Sequence, residues 1–270
     1  MTQVWLRSRQ SSRVLIGMVH VHATPGSPHA TMPVDQIVDR AVQDAKAIRD
    51  AGFNAIAIEN MHDRPYLNIH TPVVTAVMTR VAFAIREVIG DMPLGVQVLS
   101  RGEKEAMAVC LAAGGSFIRC ENFAYAHIAD EGLMIEASAG DLLRYRKSVG
   151  AENIQIFADV KKKHACHAIT SDLSLAEAAH GMEFFGADGI IVTGAATGKQ
   201  TNVSDIQEAR NAVDVPVLVG SGATPETLGA LFEHADGVIV GSWIKRDGFW
   251  ENDVDEARAR EMVRARDALR

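Results

Sequence analysis

Short apolar runs alternate with longer amphipathic stretches along the whole chain, the pattern that predicts a parallel sheet wrapped by helices. The strand-like runs are "VLIGMV" (14–19), "NAIAIE" (54–59), "LGVQVL" (94–99), "SFIRC" (116–120), "IQIFADV" (154–160), "DGIIVTG" (188–194), "PVLVG" (216–220) and "DGVIV" (236–240). Helical spacing follows each, most clearly over 35–51, 72–89, 103–113 and 138–149. Eight strands and eight helices predict a single (β/α)8 TIM barrel over residues 1–270 rather than a doubly wound sheet, with 1–12 as a short N-terminal extension.

The connections are unequal. Helix-to-strand links such as "Gly-Phe-Asn" (52–54) and "Gly-Ala-Asp-Gly" (186–189) are short, whereas strand-to-helix links are longer and hold eight of the ten histidines. In this fold those longer loops form the active face; His180 and His234 fall on predicted helices and read as structural. Alternation along the strands sharpens the picture, because successive side chains leave opposite faces. It points Glu59, Gln97, Arg119 and Asp159 into one barrel mouth from four strands. A structural ion pair of Arg119 with Glu59 or Asp159 would explain part of the set. Polar groups converging at strand ends also describe a ligand site.

The last three strands carry the glycines. "GSGATPE" (220–226) follows the seventh strand and "VGSWIK" (240–245) the eighth, the two places where this fold binds phosphate. Gly220, Ser221, Gly222, Gly241 and Ser242 can bring unobstructed N–H groups to an anion, with Thr224 expected as a helix N-cap and Pro225 at the first helical position. "VTGAATGKQTN" (192–202) imitates a nucleotide-phosphate loop, but it is one residue short between Gly194 and Gly198-Lys199, and Gln200 stands where the metal-binding hydroxyl belongs. Thr193 and Gly194 therefore read as walls of the same pocket, with Lys199 in reach of an anion.

Charge and cysteines narrow the partners. A formal net charge of −7 argues against a broad nucleic-acid surface, and Lys161-Lys162-Lys163 is the nearest approach to a basic cluster. Three cysteines without a Cys-x-x-Cys fit neither a disulfide framework nor structural zinc, and suit a reducing cytoplasm. No apolar run has membrane-spanning length, and the start lacks a signal-peptide core. Trp243, Phe249 and Trp250 either build a homo-oligomer interface or cap the last helix.

"GMVHVHATPGSP" (17–28), "IAIENMHDRP" (57–65), "FIRCENF" (117–123), "FADVKKKHA" (157–165), "VTGAATG" (192–198), "VLVGSGAT" (217–224) and "VIVGSWIK" (238–245) together resemble the BtpA/SgcQ family across nearly the whole chain. That resemblance implies a ribulose-phosphate-binding type of TIM barrel. The family's founding member is a cyanobacterial factor for photosystem I accumulation at thylakoid membranes. Other members sit near sugar-transport genes, and the family brings no established reaction. His22, and Arg119-Cys120-Glu121 where members often read "RVN", depart from the family pattern.

The expected ligand is a small phosphorylated metabolite such as a sugar phosphate, with no cofactor required. Anchored at the last two strands, its carbons would lie over the first five. There Glu59 and Asp159 are candidate general bases, Lys163 or His164 a candidate acid or carbonyl polariser, and His20 a proton shuttle near neutral pH. Isomerase or lyase chemistry follows from that set; a lysine after "ADV" more commonly neutralises an anion than forms a Schiff base. Two other readings stand beside it. One is a metal-dependent hydrolase built on His20-x-His22, although the eighth strand ends in Gly241-Ser242 where such barrels supply an aspartate. The other is a non-catalytic assembly factor. Asp130-Glu131-Gly132 is either a lid or an exposed acidic turn.

Overall fold

A computed structural model describes residues 5–8, 13–194 and 200–269. Its barrel strands are β1 (Val14–His20), β2 (Ala55–Glu59), β3 (Leu94–Gln97), β4 (Phe117–Cys120), β7 (Gln155–Val160), β9 (Gly189–Val192), β10 (Val217–Val219) and β11 (Gly237–Val240). All are parallel and close in that order, with β11 returning to β1. The helices are α1 (Val34–Ala51), α2 (Pro72–Ile89), α3 (Glu103–Ala112), α4 (Ala139–Ser148), α5 (Leu175–Phe184), α6 (Val203–Ala212), α7 (Leu228–Phe232) and α8 (Glu256–Asp267). The expected (β/α)8 barrel is present, with strand ends shifted by a residue or two.

Two apolar layers hold it together. Outward strand residues such as Ile56, Ile58, Ile118 and Ile156 pack with buried helix faces, for example Val74, Val77, Met78, Val81 and Ile85 on α2. That three-and-four spacing puts the α2 side chains in one stripe. A second, smaller cluster fills the barrel: Val14, Ile16, Met18, Ala55, Ala57, Phe117, Phe157, Ile191, Leu218 and Ile239. At its lower end Trp5 stacks on Phe117 with ring centroids 4.7 Å apart. Leu6 is tied there through its backbone N–H and C=O, each 3.0 Å from the Gln155 side chain. Part of the N-terminal extension thus serves as the barrel's floor.

Local chemistry sets the helix ends. Gly52 takes φ 98° to close α1, a left-handed turn that suits glycine. Ser174 and Glu177 form a reciprocal capping box on α5, and Asp255 accepts from the N–H groups of Ala257 and Arg258 on α8. Near the seventh strand the expectation needs correction. Regular helix begins only at Leu228, and the Thr224 hydroxyl bonds Glu226 instead of capping it. His234 likewise lies in the turn after α7.

The loop after β4 contains a hairpin. β5 (His127–Ala129) and β6 (Gly132–Met134) pair antiparallel around Asp130-Glu131, and β8 (Ala165–Cys166) adds to β5. This small sheet leans over the barrel mouth. Its alternation was too short to register as strands.

Candidate active site

Strand parity builds the floor of the mouth. Two residues beyond an interior apolar side chain comes a mouth residue on seven strands: His20, Glu59, Arg119, Asp159 and Thr193, then Gly220 and Gly241; on β3 Gln97 follows Gly95, whose place in the interior Phe117 fills. Six positions carry polar side chains, and the two glycines leave a hollow on one side. A Cβ on Gly220 would lie 2.9 Å from Thr193 and 3.4 Å from the Arg119 guanidinium; on Gly241 it would meet His20 Nε2 at 3.2 Å. The hollow is therefore filled by any larger residue.

One cleft over this floor gathers Met18, His20, Glu59, Met61, Arg119 and Lys163 on one side. Gly220 to Thr224, Gly241, Ser242 and Trp243 line the other. Among the described residues, the backbone N–H groups of Gly222, Ala223, Ser242 and Trp243 have no acceptor. Gly222 adopts φ 70°, the left-handed turn that exposes this backbone. Unpaired amides at the end of a barrel suit an anion. Gly194 N–H donates to the Ser221 hydroxyl at 2.9 Å, so the loop after β9 braces the cradle. Lys199, Gly198 and the rest of 195–199 lie outside the described residues.

The charged side chains have divided tasks. Arg119 pairs with Asp159 through two parallel bonds of 2.9 Å, Nε to Oδ1 and Nη2 to Oδ2. Both are buried, and the carboxylates around Arg119, Asp159 foremost, hold its guanidinium protonated against desolvation. Of the pairings expected for Arg119, the structure selects Asp159. With both oxygens occupied, Asp159 orients Arg119 and is poorly placed as a general base. Glu59 has no hydrogen bond from its side chain to any described residue, and burial pushes its carboxyl above the usual range, while Arg119 and Lys163 pull it back. Lys163 also lacks an acceptor among the described residues; burial, then Arg119, lowers its ammonium.

His20 departs from its expected role. Its Nδ1 lies 2.8 Å from the Trp250 carbonyl, which only accepts, so that nitrogen carries the hydrogen and Nε2 faces the cleft with a lone pair. Burial and then the Lys245 charge press its pKa well below the usual value. It is a neutral acceptor at pH 7 rather than a group titrating there.

The other expected residues lie at the margin. Gln97 is 2% exposed, and neither side-chain polar atom has a partner; the Thr193 hydroxyl is buried and unpartnered as well. His164 belongs to an adjoining chamber under the hairpin, 3.6 Å from Asp130. That chamber shares Glu59, Met61 and Lys163 with the cleft and adds Tyr66, Glu121 and Glu131. His22 packs against His62, ring centroids 4.7 Å apart and planes tilted by 32°. Among the described residues no three His, Cys, Asp or Glu side chains gather as metal ligands.

Several contributors were not expected from sequence. Lys245 is 0% exposed and donates to Asp44 Oδ2 at 2.7 Å, tying the loop after β11 to α1. Asp44 interrupts the buried stripe of α1, a signal legible in the sequence. Trp250 acts through its backbone carbonyl, for which no sequence signal exists. Trp243 packs beneath Arg258, and Trp250 beneath Arg64, while Phe249 is exposed.

A model of the BtpA family matches residues 11–268. The chain belongs to the BtpA family. An uncharacterized mitochondrial protein of Caenorhabditis elegans is 40% identical over 262 residues, covering 94% of this chain and 93% of the other. The photosystem I biogenesis protein BtpA of Synechocystis is 34% identical over 258 residues, covering 95% and 88%. Solved structures share the barrel at low identity. Thiamine phosphate pyrophosphorylase from Pyrococcus furiosus gives a TM-score of 0.59 at 13% identity, covering 94% and 95% of the two chains. Orotidine 5'-phosphate decarboxylase from Pyrococcus horikoshii gives 0.58 at 14%, covering 94% and 100%. This BtpA-family chain is thus a TIM barrel similar to enzymes whose names specify phosphorylated compounds. Among its described residues no helix is long and apolar enough to cross a membrane.

Proposed function

We propose that the barrel mouth binds a small phosphorylated metabolite, a sugar phosphate, and moves a proton on its carbon chain as an isomerase or lyase does. The phosphate sits against the loops after β10 and β11, where Gly222, Ala223, Ser242 and Trp243 offer N–H donors. The carbons then cross the barrel toward Glu59 and Lys163. Glu59 takes a proton from the carbon beside the carbonyl, Lys163 meets the carbonyl, and His20 Nε2 accepts from a hydroxyl. Arg119, fixed by Asp159, supplies a permanent positive charge beneath the developing enolate.

One observation carries this reading: a single cleft joins backbone donors on one wall to a carboxyl and an amine on the other, none of them paired among the described residues. A burial penalty is expected for unpaired charges, and a ligand would relieve it. The likeness to barrels named for phosphorylated compounds supports the same class of ligand. Residues 1–270 then act as one domain in the cytoplasm, with a metabolite rather than nucleic acid as partner. The photosystem role belongs, by its name, to the Synechocystis relative.

The test is thermal stability against pairs of sugars with and without phosphate. A ligand of the folded state raises the midpoint with concentration. A phosphosugar should shift the wild type and leave Gly222→Glu unmoved, because a carboxylate would occupy the anion's place. No phosphate-dependent shift from any phosphosugar would remove the reading.

A further inference from the structure

Three consecutive lysines follow β7, and the backbone sends each to a different place. Lys161 and His164 both adopt left-handed conformations, φ 48° and 55°, which bracket Lys162-Lys163 with two turns unfavourable to side-chain-bearing residues. Lys161 Nζ donates to the Leu173 carbonyl at 2.7 Å. Lys162 Nζ is buried 3.2 Å from Glu121 and 3.8 Å from Glu131. Lys163 alone of the three enters the cleft.

Its neighbours are already matched. Arg119 is held by Asp159, Lys162 by two glutamates and Lys245 by Asp44, whereas Lys163 has no carboxylate within ion-pair distance among the described residues. A lysine kept only for solubility would be in water, and one kept for structure would be paired. Lys163 and Glu59 line both the phosphate-side cleft and the chamber beneath the hairpin. A chain anchored at Gly222 and extending into that chamber passes both.

We propose that Lys163 is a nucleophile, condensing through its amine with the carbonyl carbon of a phosphorylated aldehyde or ketone to form a Schiff base. This deepens the phosphosugar reading of the same cleft and rests on it. The Nζ lone pair attacks the carbonyl carbon, and a proton passes from the nitrogen to the oxygen to give a neutral carbinolamine. Glu59, in its protonated form, gives that hydroxyl a second proton; it leaves as water, and the nitrogen keeps the positive charge as an iminium. Glu59, now a carboxylate, removes the proton from the adjacent carbon, giving an enamine. Protonation of the enamine regenerates an iminium, and water adds to it to release the carbonyl product and the free amine. Burial favours both starting states, neutral amine and neutral carboxyl, and the fixed Arg119 charge further disfavours a second cation beside it.

Borohydride trapping tests it. The whole protein is incubated with dihydroxyacetone phosphate or glyceraldehyde 3-phosphate, reduced with sodium borohydride and mapped by peptide mass spectrometry; glycerol 3-phosphate, which has no carbonyl, is the control. The expected result is a single reduced adduct at Lys163, at least about tenfold weaker in Lys163→Arg at unchanged melting temperature, with none from glycerol 3-phosphate. Adducts spread over surface lysines, equally in wild type and Lys163→Arg, would overturn it. A phosphosugar-induced thermal shift without any adduct would overturn the Schiff base and leave phosphate binding standing. Neither shift nor adduct would remove both. An adduct at Lys163 that persists in Gly222→Glu would support the nucleophile and sink the phosphate cradle.

Discussion

Glu59 and Asp159 are two acidic residues at one level of one barrel, and their partners give them different work. Asp159 spends both oxygens on Arg119, so Asp159→Asn would leave a buried guanidinium without its counter-charge. Breaking such a pair from one side costs about 3–5 kcal/mol, and urea unfolding should show a loss of that order. Glu59 has no such duty. Glu59→Gln should keep the fold and the phosphosugar-induced thermal shift, while deuterium exchange at the carbon beside the carbonyl slows at least about 100-fold in heavy water. Unchanged exchange would assign the base elsewhere. Strand alternation alone pointed Glu59, Gln97, Arg119 and Asp159, four of the six polar mouth residues, to one side, because period two is a property of any strand. Which carboxylate was free could not be read that way: it depends on the reach of Arg119 across from β4 to β7.

At the scale of elements, the barrel was legible and the hairpin after β4 was not. Strands of three to seven residues alternate with helices of five to eighteen eight times over, and each repeat supports the next. The hairpin β5–β6 has three residues per strand, too few for alternation to mark. What fastens it is a contact distant in sequence, the buried Lys162 ammonium between Glu121 and Glu131. Lys162→Met would leave two buried carboxylates facing each other with no cation between them. Amide hydrogen exchange should then accelerate over 127–134 while β1, β2 and the other barrel strands keep their protection. Adding Glu131→Gln removes half of the repulsion and should restore part of that protection. Uniform acceleration through the barrel would instead make Lys162 part of the global core.

For the whole molecule, the buried histidines link the loops above the barrel to pH. His62 and His127 are lowered from 6.5 to about 4, first by burial, and His20 well below its usual value for the same cause. Below pH 6.5 the unfolded chain takes up protons that these folded imidazoles refuse, so stability falls as pH drops from 6.5 toward 4. Glu59 and Glu103 act in the opposite sense, because their folded carboxyls bind protons more readily than unfolded ones. His22 is lowered as well, first by burial, so four imidazoles act in the one sense and two buried carboxyls in the other. His127 isolates one share: it is 5% exposed, faces Lys162, His167, Asp159 and Arg101, and has its Nε2 buried without a partner. Its contribution to the slope is at most about 1.4 kcal/mol per pH unit. His127→Phe keeps the ring volume and removes the titration, so urea midpoints at pH 7 and pH 5 should lie closer together than in the wild type. Parallel slopes in the two proteins would mean that His127 is protonated in the folded state, and that the hairpin above the cleft admits water.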